Sequence, residues 1–97
     1  MSISMIVQNQ NQGQIRFIAD GLEDLAKFAT QLHSRYLLRG IHPYGDTIFN
    51  MIQLRFLLAE IEQLEEESPD HLELLQIIKL AANEAIYARG YLRFSGD

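Results

Sequence analysis

The sequence contains no cysteine, which excludes disulfides, thiolate nucleophiles, iron–sulfur clusters and cysteine-based zinc sites. Nor is there an apolar run of the roughly 20 residues that a membrane span requires, because Arg55 and Glu60 interrupt the best candidate. Residues 1–15 carry no Lys or Arg, so the charged start of a signal peptide is missing and export by that route is not expected. Basic residues are scarce and scattered: eight stand against thirteen acids, for a net charge of −5. A field of that sign repels phosphate backbones, so neither nucleic acid nor a membrane is an expected partner. Catalytic signatures are missing too. Ser2, Ser4, Ser34, Ser68 and Ser95 lie in no Gly-x-Ser-x-Gly elbow. No two histidines sit at i, i+4, and the acids lack the spaced oxygens and central glycine of a calcium loop. No catalytic residue, metal or cofactor is assigned on this basis, and the composition fits a reducing cytoplasm.

What is present reads as one domain, 1–97, long enough to bury about 60–70% of its unfolded surface without staples. The stretch around which the rest is arranged is a helix expected over 47–67. At 100° per residue Ile48, Phe49, Ile52, Phe56 and Ala59 share one arc, and Met51, Leu54, Leu58 and Ile61 share a second on the opposite side. Asn50, Gln53 and Glu60 fill one polar gap, Arg55 and Glu62 the other. Two apolar faces imply that neighbours cover both.

Before it, residues 2–8 alternate Ile3, Met5 and Val7 with Ser4, Ile6 and Gln8, and residues 14–19 alternate again around Ile15 and Phe17. With the polar loop Asn9 to Gly13 between them, 2–19 is expected to be a β-hairpin whose glycine takes the positive φ. Asp20 and Glu23 have capping-box spacing, so a helix is expected over 21–37 with Leu22, Leu25, Ala26, Phe28, Ala29, Leu32 and Tyr36 inward. His33 lies at the edge of that arc and reads as a half-buried, hydrogen-bonded histidine. Ser68 followed by Pro69 is a strong start signal for a helix over 69–89, which Gly90 ends. Tyr91 to Phe94 alternate as an extended tail, either adding a third strand beside the hairpin or packing Leu92 and Phe94 on the core. The expected fold is therefore α+β and mainly helical, with an amino-terminal hairpin, three helices of which the second is central, and a carboxyl-terminal extended segment.

Two places carry candidate site residues. In 41–46, His42, Tyr44 and Asp46 converge where a helix amino terminus is expected, and a helix dipole there favours an anion. The structural alternative is a turn set by Pro43 and Gly45, with Asp46 as the helix cap, and it is the stronger one because the cap carboxylate would itself fill the anion site. In 60–73, seven of the thirteen acids crowd into fourteen residues. Carboxylates at a helix carboxyl end oppose its dipole. Either they form a solvated turn leading into the next helix, or Glu62, Glu65, Glu66, Glu67 and Asp70 form a docking patch for a basic partner surface.

The run Pro43-Tyr44-Gly45-Asp46-Thr47-Ile48-Phe49-Asn50, with Gln53-Leu54 after it and Tyr91-Leu92-Arg93-Phe94-Ser95-Gly96-Asp97 at the end, resembles a family of small uncharacterised bacterial proteins. The resemblance covers the second half of the chain. It implies a bacterial, intracellular source and carries no activity, cofactor or catalytic residue. The functional expectation is non-catalytic recognition of another protein, in the manner of an immunity or inhibitor protein that covers a basic cleft with carboxylates. The alternatives are a self-associating module that forms a homodimer through a sheet edge or a leftover apolar face, and a small-ligand or enzymatic site at His42, Tyr44 and Asp46.

Overall fold

A computed structural model describes residues 3–19, 23–42 and 44–96. The hairpin forms as expected, with β1 over Ile3–Gln8 and β2 over Gln14–Ala19. Its loop is held by Asn9, whose side-chain oxygen accepts from the backbone N–H groups of Asn11 and Gly13, both at 2.9 Å. The left-handed position is Gln12, at φ 65°, and not Gly13.

The first helix, α1, spans Glu23–Gln31. The expected Asp20 cap lies outside the described residues. At the other end the helix stops at Gln31, short of the expected residue 37. After Gln31 the chain turns and forms a short 3-10 segment at Leu37–Gly40. Tertiary bonds favour the break: the Leu37 N–H donates to Glu60 Oε1 at 2.8 Å, and Leu38 and Ile41 drop into the core. A helix continued to residue 37 would satisfy that N–H internally and leave Glu60 without its donor. His33, expected half-buried, is exposed, and its Nδ1 accepts from the Arg35 N–H at 3.1 Å.

The larger correction falls on 47–67. Asp46–Phe49 is a strand, β3, and the helix α2 spans Met51–Glu67. Its cap is Asn50, in a reciprocal capping box with Gln53: Asn50 Oδ1 accepts from the Gln53 N–H at 2.9 Å, and Gln53 Oε1 accepts from the Asn50 N–H at 3.0 Å. Asp46 caps nothing; it opens β3 and pairs with Arg93 Nη2 at 2.7 Å. After α2, Ser68 makes no side-chain cap bond, Pro69–His71 forms a 3-10 turn, and α3 spans Leu72–Tyr87 rather than 69–89. The left-handed residue after α3 is Arg89, at φ 57°. Gly90 is needed for a different reason, because a Cβ there would meet the Gln8 carbonyl oxygen at 1.8 Å.

The tail is a full strand, β4, over Tyr91–Gly96. It pairs antiparallel with β1 along its length and with β3 on its other side, giving the order β2-β1-β4-β3. Alternation sends Ile3, Met5 and Val7 of β1, Leu92 and Phe94 of β4 and Phe49 of β3 toward the helices, where all are buried. Phe49 and Phe94 meet edge to face at 5.7 Å. The fold is thus α+β, an antiparallel sheet with α3 over β1 and β4 and α2 packed beside α3. Among the described residues no helix is long and apolar enough to cross a membrane.

Candidate functional site

α2 is apolar on two sides, and only one is covered. Leu54, Leu57, Ile61 and Leu64 are buried, with Leu58 half-buried beside them. Directly opposite at 100° per residue lie Ile52, Phe56, Ala59, Glu62, Gln63 and Glu66, with Arg55 beside them, and all are exposed. Ile52 is 69% exposed and Phe56 63%. The expectation of two covered faces therefore fails on the side of Ile52 and Phe56. Ile48 and Phe49, expected on the same helical arc, belong to β3, where Phe49 is buried and Ile48 is exposed. Leu57 falls between the two expected arcs and sits near the centre of the one buried face.

The acids chosen as a docking patch separate into two groups. Glu65 Oε1 lies 3.4 Å from Lys79 Nζ and ties α2 to α3. Glu67 Oε2 accepts from the Tyr36 hydroxyl at 2.9 Å, and its Oε1 from Gln63 Nε2 at 3.4 Å. The Arg35 guanidinium donates to the same Tyr36 hydroxyl at 3.0 Å, a bond that holds its pKa above the usual arginine value. Glu60 receives the Leu37 N–H, and burial pushes its carboxyl above the usual carboxylate range against the opposing pull of that N–H and of Arg35. Three of the crowded acids are therefore fasteners between α2 and its neighbours. Glu62, Glu66 and Asp70 are exposed, with no side-chain bond among the described residues.

His42, Tyr44 and Asp46 do not stand at a helix amino terminus. The helix amino terminus is at Asn50, four residues beyond Asp46. His42 Nδ1 accepts from the Tyr44 N–H at 3.0 Å, and the His42 N–H donates to Thr47 Oγ1 at 3.0 Å, so the three residues shape the turn into β3. Pro43 lies outside the described residues. His71 is half-buried and stacks on Phe28 with ring centres 4.5 Å apart. Among the described residues no three His, Asp or Glu side chains gather in a metal-binding group.

An open cleft of about 960 Å³ runs along α3, lined by Pro69, Leu72, Gln76, Leu80 and Asn83 among others, and two smaller open clefts flank the helices. One, of about 460 Å³, lies between the start of α2 and the α3–β4 turn, lined by Asn50, Ile52, Arg55, Arg89 and Tyr91. The other, of about 480 Å³, lies between β2 and α3 and includes Ile15, Leu80 and Tyr87 beside the Arg16–Glu84 ion pair. Neither sets a nucleophile beside a base, and what both offer is contact area.

No protein-family model matches this chain, no curated protein is similar to it, and no solved structure matches it.

Proposed function

We propose that the protein is a non-catalytic protein-recognition module and that its contact surface is the outer face of α2. The observation that carries this reading is the exposure of Ile52 and Phe56, one turn apart on a helix whose other face is fully buried. Isolated apolar side chains on a surface need no explanation, but two large ones stacked on one helical face form the core of a contact site. Beyond them the same face continues into Glu62 and Glu66, with Asp70 past the end of the helix. A complementary surface brings side-chain carbon to Ile52 and Phe56 and a basic group to Glu62 and Glu66. Glu65 and Glu67 are engaged by Lys79 and Tyr36 of the same chain and leave the contact to Glu62, Glu66 and Asp70.

The test immobilises the wild-type chain and an Ile52→Ser/Phe56→Ser variant and compares the protein each retains, from pure chain and from extracts of its source cells. Loss of the retained protein with a melting temperature within a few degrees of wild type is the expected result. Equal retention by the two, or none by wild type, removes the reading.

A further inference from the structure

We infer that the occupant of the α2 outer face is a second copy of this chain, its α2 lying antiparallel about a two-fold axis at Ala59. The inference rests on that face being the contact surface, and adds the partner.

The face has a polarity that suits only one arrangement of two copies. Arg55 lies toward its amino-terminal half and Glu62 and Glu66 toward its carboxyl-terminal half, with Ile52, Phe56 and Ala59 completing the row. Parallel α2 helices would set like charge beside like. Turned antiparallel about Ala59, residue 55 of one copy stands opposite residue 63 of the other, so each Arg55 reaches between the partner's Glu62 and Glu66. The contact is isologous and closes after two copies. The row is also sterically self-complementary. Ala59 is small and exposed at the centre, so the backbones can approach closely there. Each Phe56, one turn away, enters the space between the partner's Ala59, Glu62, Gln63 and Glu66, as a side chain of one helix fits among four of the other. Ile52 then lies on the methylene stems of the partner's Gln63 and Glu66.

Helix length bounds the contact area. A helix of 17 residues is about 25 Å long. Two such helices side by side bury on the order of 1,000 Å² in total, at the low end of specific interfaces. Area does not fix affinity, so the dimer is sought across the micromolar range.

The chain has no cysteine, so one introduced thiol reports its own neighbours. Ala59→Cys should cross-link to a second Ala59→Cys chain on mild oxidation, at least tenfold faster than a control thiol at exposed Glu73. Sedimentation of wild type from 5 to 500 µM should show a monomer–dimer equilibrium. Phe56→Asp should remain monomeric throughout, and circular dichroism checks that it is folded. Arg55→Glu should weaken the dimer about tenfold, and adding Glu62→Arg and Glu66→Arg should restore it. Wild type monomeric at 500 µM overturns the second copy as partner, while the retention of other proteins still judges the α2 face separately. A dimer that survives Phe56→Asp, or that leaves Ala59→Cys no faster than the control, overturns it as well, by locating self-association on another surface.

Discussion

Both faces of α2 carry large apolar side chains, and their fates are opposite. Leu54, Leu57, Ile61 and Leu64 are sealed against the rest of the fold, whereas Ile52 and Phe56 stand in solvent. The difference lies in the neighbours and not in the apolar residues themselves. The inner row is extended to Leu64 by leucine and isoleucine alone, while the outer row shares its arc with Arg55, Glu62 and Glu66. A charged side chain is rarely placed where a core must close over it, because burying it unpaired costs more than the apolar contacts return. The comparison shows that apolar periodicity identifies a face, and interspersed charge marks which face the fold leaves open.

The contrast can be broken most directly by truncating one residue on each side. Leu57→Ala should destabilise the chain by about 2–5 kcal/mol in urea unfolding, since it opens a cavity in the buried row. A loss below 1 kcal/mol would mean that the inner face is not the core. Next in size is the start of the helix, which both faces share. Asn50→Ala removes the capping box and should cost roughly 0.5–2 kcal/mol. Asp46→Ala removes a partly exposed ion pair with Arg93 and should cost at most about 1 kcal/mol. The opposite ranking would return the cap to Asp46. Phe56→Ala, the outer counterpart of Leu57→Ala, should change monomer stability by no more than about 0.5 kcal/mol, because little of its ring is buried.

The smallest effect is a pH dependence at the seam between the faces. Burial raises the Glu60 carboxyl above its ordinary value of 4.5, so the native chain holds that proton more tightly than the unfolded chain does. Over the window from 4.5 up to the raised value the native state binds more protons. Stability from this group is thus highest in acid, falls as pH rises through the window, and is constant above it. Urea midpoints of wild type and Glu60→Gln, measured at pH 4 and pH 7, should show wild type losing ground to the variant as pH rises. The reverse trend would mean that the Leu37 N–H and Arg35 together outweigh burial.

Much of the fold can be read along the chain because it is local. The two-residue period of β1, β2 and residues 91–94 and the 3.6-residue period of α1 and α3 are visible over a single window. β3 escaped that reading because Ile48 and Phe49 stand at helical spacing from Ile52 and Phe56, and its partner β4 begins over forty residues later. The early end of α1 was hidden for the same reason: Leu32 and Tyr36 continue the helical period, and what breaks it is Glu60, distant in sequence. The acid run was legible as an anomaly. Its division into Glu60, Glu65 and Glu67, bound to Leu37, Lys79 and Tyr36, and Glu62, Glu66 and Asp70, left free of such bonds among the described residues, required the helices in place.

β4 follows every other element in sequence and yet sits inside the sheet, between β1 and β3. A growing chain that has not yet released residues 91–96 from the ribosome holds its hairpin and β3 as unjoined pieces, with the open flank of β1 waiting for a mate. The sheet therefore closes only when β4 arrives, and a chain stalled short of it would present to its surroundings the backbone edge of β1 that β4 covers.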